Sequence, residues 1–138
     1  MISSYLTSIL QRENTTPYTV TDNAPETYNG LLSIGHLYIY GGASDSSIYG
    51  SPANNHLFRA HHDSIHLAKD FAFDNLGEYL VARETCRIFS SYSSIAAEYI
   101  WADVYGQVKY NNRHGVFPTD QLAFVEHYMA TSDVEKKF

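Results

Sequence analysis

The sequence predicts a mainly α fold: a compact bundle of about four helices, with an N-terminal arm and a small β-hairpin covering one side. Three observations lead there. Apolar residues recur at helical intervals between residues 55 and 130, a two-residue period appears only over a few positions near Leu37–Tyr40, and turn-forming residues crowd the first 54 positions. With 138 residues and 44% hydrophobic content, the chain can bury one core and is too short for two. A single domain is expected, with residues 1–54 an irregular, strand-containing arm and residues 55–130 the helical core.

Each element follows from local composition. After a short opening segment, residues 11–30 carry Thr15, Thr16, Pro17, Asp22, Asn23, Pro25, Asn29 and Gly30, which break helices and favour an extended arm. The run LLSIGHLYIY (residues 31–40) reads as one or two short strands that turn at Gly41 and Gly42. The loop ASDSSIYGSPAN (residues 43–54) then gives way to helical spacing. Leu57, Ala60, Ile65 and Ala68 mark one helix, and Leu76, Leu80, Val81, Cys86, Ile88 and Phe89 mark the next. Residues 92–110 predict a third helix, which Gly106 is expected to end early. Asn111 to Pro118 read as a connector, Thr119 as a helix cap, and Leu122, Phe124 or Val125, and Tyr128 or Met129 as the buried side of a fourth helix. Residues 131–138 read as a frayed tail.

Charge and composition exclude several function classes. Nine basic residues face 15 acidic ones, a net charge of −6, and the longest basic run is Lys136 with Lys137. No nucleic-acid partner is expected of such a chain. No apolar stretch is long enough to span a membrane and the opening residues lack a secretory pattern, so a cytoplasmic protein with no membrane partner is expected. The lone Cys86 has no internal disulfide partner and reads as a reduced, buried thiol. Rossmann, P-loop and cysteine-zinc signatures are absent. Twelve tyrosines furnish core and polar edge, or else a substrate cavity or a homo-oligomer surface.

The chemistry concentrates in LFRAHHDSIHLAKDFAFDNLGE (residues 57–78). His62 and His66 are four apart, which stacks both imidazoles on one helix face, and Glu78 follows after eleven intervening residues, placed to close a site from the next helix. Two imidazoles and a carboxylate suit a divalent metal, zinc first, with iron or manganese open. A capped, half-exposed polar turn is the structural alternative for the same residues. Asp63 is a candidate fourth ligand, a hydrogen-bond acceptor for a ligand, or a base. His61 nearby is a candidate to face substrate or solvent, and Arg59, four before Asp63, is a candidate to pair with it or to supply positive charge for an anionic substrate. Glu98 and Asp103 are candidate general bases or further ligands from the third helix, with Gln107 four beyond Asp103. His114 and His127 read as ordinary hydrogen-bonding residues.

The run HDSIHLAKDFAFDNLGE resembles the HDxxH, eleven residues, E motif of a ubiquinone-biosynthesis family. The resemblance implies that His62, Asp63, His66 and Glu78 form a metal-binding set in a largely helical fold; that family modifies a polyprenylated benzenoid ring at a membrane surface. More broadly, NNHLFRAHHDSIHL, GEYLVARET and ADVYGQ resemble small phage-encoded proteins, over roughly residues 54–128. Here His61 stands where that group commonly has an apolar residue. For a phage-encoded chain, the location implied is the host cytoplasm. His36, His62 with Asp63, and Asp103 also follow the H, HD, D order of HD-type phosphohydrolases, whose metal activates water against phosphate.

The expected function is therefore a metal-dependent enzyme acting on a small-molecule substrate, a hydrolase or lyase using metal-activated water. One alternative is a phage structural or host-interaction protein, its partner a host or phage protein, in which a metal or hydrogen bonds staple two helices. The HD-type phosphohydrolase is the other.

Overall fold

The computed structural model describes residues 2–14, 16–26, 30–31, 36–42 and 46–138. The fold is mainly helical with one two-stranded sheet. Helix α1 (Ile2–Glu13) is followed by strands β1 (Tyr18–Thr21) and β2 (Leu37–Tyr40), helix α2 (Pro52–Lys69) and helix α3 (Asn75–Ser90). Helix α4 (Ser94–Trp101) runs through a π-helical turn (Ala102–Gly106) into α5 (Gln107–His114), and α6 (Gln121–Thr131) closes the set.

Short polar side chains start the helices of the core. Ser51 accepts a hydrogen bond from the Asn54 amide ahead of Pro52 at the first turn of α2, and Asp74, Ser93 and Asp120 do the same for α3, α4 and α6. Asp120, one residue beyond the expected Thr119, is the cap of α6 because its carboxylate reaches the Ala123 amide.

The main core joins Leu6, Ile9 and Leu10 of α1 to Phe58 of α2, Phe89 of α3, Ile100 of α4 and Phe124 of α6. Fully burying one such side chain contributes about 1.5–3 kcal/mol. A second, smaller cluster of Leu31, Leu37, Ile39 and Ala60 lies between the sheet and α2, with Phe73 against it. Helix α2 is thus packed on two sides, against the main core and beneath β2.

Several expectations change at this level. The opening residues form α1, whose Leu6, Ile9 and Leu10 repay helix formation by burial in the main core. Strand β2 falls where alternation placed it, but its partner is β1, within the stretch read as an extended arm. The pairing is parallel, Tyr18 opposite Leu37 through Thr21 opposite Tyr40, so the two strands are not the arms of an antiparallel hairpin. Residues 32–35, where a second strand was expected, and residues 43–45 of the following loop lie outside the described residues.

Gly106 does not end the third helix, which continues through the π turn to His114. A Cβ on Gly106 would lie 3.1 Å from the Tyr128 ring, so glycine lets α6 approach closely. The C-terminal residues are also held: Phe138 donates its amide to the Tyr110 hydroxyl at 2.9 Å, accepts from the Thr119 amide at 3.0 Å and packs edge-on to Phe124. Backbone hydrogen bonds and an aromatic seat replace the expected fraying.

Candidate metal centre

Helix α2 presents His62 and His66 on one face, and the end of that helix fixes the second ring. Asp70 adopts a left-handed conformation (φ 57°) that stops α2, and Phe71 folds back so that its amide donates to the His66 carbonyl at 3.0 Å. The Phe71 carbonyl then lies 2.7 Å from His66 Nδ1. A carbonyl only accepts, so Nδ1 carries the proton, and in the neutral ring Nε2 presents its lone pair. His66 is fully buried, with Phe73 edge-on to its ring.

Glu78 arrives from the first turn of α3. Asp74 caps that helix by accepting from Gly77 N–H at 2.7 Å, and the chain between the two helices is only Asp70–Asp74. Gly77 is required by close approach: a Cβ there would sit 1.7 Å from the Ala72 carbonyl oxygen. This contact sets Glu78 against α2.

Three donors converge as a result. His62 Nε2 is 2.9 Å from Glu78 Oε2, His66 Nε2 is 3.2 Å from Glu78 Oε1, and the two Nε2 atoms are 3.2 Å apart. A cation bonded at about 2.0–2.1 Å separates adjacent donors by about 2.9 Å at right-angled coordination and about 3.4 Å at tetrahedral coordination. Each carboxylate oxygen faces one imidazole, and these nitrogen–nitrogen and nitrogen–oxygen separations match those values. Among the described residues, this is the one group of three or more His, Cys, Asp or Glu side chains whose ligand atoms converge in this way. The cluster can hold a divalent metal ion on three protein ligands.

Its electrostatics are those of a tight acid–imidazole cluster. Burial lowers the affinity of His62 for a proton, but the facing Glu78 carboxylate outweighs it, with smaller help from Asp63 and Asp103, and the ring is held above its ordinary pKa. Burial would raise Glu78, yet His62 and His66 together hold it well below the usual carboxylate range.

The cluster opens on a cavity of about 620 Å³ lined by residues of β2, α2, α3, the π turn and α5. Asp63 is not among the converging donors and lines this cavity instead, where burial raises its pKa. Arg59 also lines it; its Nη1 donates to the Tyr40 and Gly42 carbonyls at 2.6 Å each. Asp103, delivered by the π turn, accepts from the Tyr49 hydroxyl at 2.8 Å and from Gln107 Nε2 at 2.7 Å. Burial pushes its pKa up to about 6 against the lowering effect of those two bonds. π-helical turns recur at functional sites because they re-aim side chains out of the regular helical row.

Other candidates lie elsewhere. Glu98 is exposed and lines a separate depression with Cys86, Ala97 and Trp101. The Cys86 thiol is pushed up to about 11 by burial, as suits an unreactive residue. His61 points away from the cluster to lie edge-on to Phe89, and burial lowers its pKa to about 4. His36 bonds Thr19 Oγ1 at 2.9 Å and does not line the cavity. His114 and His127 bond the Val134 carbonyl and Asp133. Tyr49 was missed from the sequence because it lies in a loop with no periodicity; the Asp103, Gln107 spacing was the one local signal of the pair it completes.

The chain matches no family model, no curated protein and no solved structure. Among the described residues, no helix is long and apolar enough to cross a membrane.

Proposed function

We propose that this protein is a metal-dependent enzyme, a hydrolase or lyase acting on a small molecule, with zinc as the favoured cation. One observation supports the reading above others: the His62, His66 and Glu78 donors converge at the wall of a cavity of about 620 Å³ that also holds Asp63 and Asp103. A cation with three protein ligands keeps positions open, and it supplies Lewis acidity and a water of lowered pKa. The Phe71 carbonyl orients His66 through Nδ1, as the outer partner of a metal-bound imidazole does. Asp63 and Asp103 are the proton acceptors within the same space. Asp103 is the better held of the two, because Tyr49 and Gln107 fix both of its oxygens.

The competing reading is a metal or hydrogen-bonded cluster that only staples α2 to α3, in a structural or host-interaction protein. The cavity beside the donors favours catalysis, since a stapling site needs no room for substrate. Metal content, measured by inductively coupled plasma mass spectrometry on untagged protein, tests the proposal. Near-stoichiometric metal in the parent, lost in His66→Ala and Glu78→Ala, is the expected result. A folded, metal-free parent would overturn it.

A further inference from the structure

We infer that the cavity beside the cluster is built for an electrically neutral carbonyl compound with an apolar body, an amide or ester, and not for a phosphate ester. This inference rests on the reading of His62, His66 and Glu78 as metal ligands. The charge lining the cavity is the first ground. The wall carries Asp63, Asp74, Glu78 and Asp103 against Arg59 and, at the cluster, a divalent ion, so the fixed charges still leave a net negative charge of about one with the metal in place. A phosphate monoester would bring about two further negative charges near neutral pH into that wall.

The groups that usually hold phosphate are also committed. Arg59 places its Nη1 on the Tyr40 and Gly42 carbonyls and so anchors the end of β2 to α2. The N-terminus of α3, where Asp74 and Asn75 line the cavity, is the place in this wall for an anion to meet backbone amides. Asp74 already occupies it: its own carboxylate accepts from the Gly77 amide at 2.7 Å. The protein's own anion sits where a phosphate would.

The remaining wall suits an uncharged molecule. Ile39, Phe73, Val104, Val108 and Phe117 provide an apolar side. Asn111 and Asn112 line the cavity too, with carboxamides that donate and accept hydrogen bonds without adding charge. A neutral carbonyl oxygen would be placed toward the cation; water would add to the carbonyl carbon, the amide C–N or ester C–O bond would break, and a nearby carboxylate would take water's proton and pass it to the departing amine or alcohol. The order His36, His62, Asp63, Asp103 of a phosphohydrolase gains no support from this wall.

Cobalt(II) loaded into the protein gives a visible spectrum that reports ligands joining the metal, and two probes with the same phenyl body separate the cases. Benzohydroxamic acid is neutral in solution and can pass its proton to a cavity carboxylate; phenyl phosphate is an anion. The expected result is that benzohydroxamic acid binds the parent at least about 10-fold more tightly than phenyl phosphate. Removing one wall charge in Asp63→Asn or Asp103→Asn should tighten phenyl phosphate about 10-fold, the scale of a unit charge several ångströms away in a partly screened site, and should not tighten benzohydroxamic acid. Phenyl phosphate binding the parent as tightly as benzohydroxamic acid, or no tightening of phenyl phosphate in either variant, would overturn the inference while leaving the metal reading intact. A parent with no cobalt spectrum before any probe is added would instead overturn the metal reading, and this inference with it.

Discussion

Replacing Gly77 with alanine tests whether the close packing of α3 on the preceding turn is what positions Glu78. The added Cβ would sit 1.7 Å from the Ala72 carbonyl oxygen and 2.7 Å from the Ala72 carbonyl carbon. Both are backbone atoms, so no side chain can swing aside. Restoring ordinary contact needs a displacement of about 1.5 Å, and overpacking of this kind costs about 1–3 kcal/mol. The upper end applies, because the loop between α2 and α3 is short and Asp74 ties it to the Gly77 amide.

The same displacement acts on Glu78, the next residue, whose oxygens lie 2.9 and 3.2 Å from the two imidazoles. A shift of about 1 Å is half a metal–oxygen bond length, enough to break ligation. Gly77→Ala should therefore lower the metal-free Tm by about 10 °C, read by circular dichroism, and should also lose most of the further rise in Tm expected when zinc is added to the parent. Equal Tm values and an equal response to zinc would refute the argument. A destabilised variant that kept the full zinc response would show that packing and ligand placement are separable.

Two further substitutions address single groups. Asp103 has its pKa raised from 3.8 to about 6 by burial, so the folded protein holds a proton there that the unfolded chain releases. Its contribution to stability is greatest below about pH 4 and falls by about 3 kcal/mol as pH rises through 6. Asp103→Asn should thus gain about that much relative to the parent between pH 4 and pH 7, measured by urea unfolding in the presence of a chelator; a difference independent of pH would contradict the assignment. His61 is buried with an Nδ1 that has no hydrogen-bond partner among the described residues. His61→Leu should leave metal content unchanged and stability equal or higher by about 1–2 kcal/mol, and loss of metal would place His61 in the site after all.

Local geometry made much of the protein legible from its residues. The apolar spacing along residues 55–130 specified α2, α3, α4 and α6, though not the continuation of α4 past Gly106 into α5, because a helix repeats every 3.6 residues whatever it packs against. The same regularity placed His62 and His66 on one face. A chain of only eleven residues to Glu78, with a glycine beside it, made a second helix the natural source of the third donor.

What the residues could not settle depends on segments meeting across long stretches of chain. The parallel pairing of β1 with β2, the seating of α1 in the main core and the anchoring of Phe138 on Tyr110 are contacts between distant positions, each balanced against loop-closure entropy and invisible to any local period. The sequence by itself determined a helical fold with a His, His, Glu set at metal spacing. Tertiary structure alone decided that Asp63 and Asp103 share a cavity with that set while Glu98 and His36 stand outside it. The physical reason is that helix periodicity fixes a side chain's direction from its own element, whereas the neighbours it meets are fixed by how the elements bury their apolar faces together.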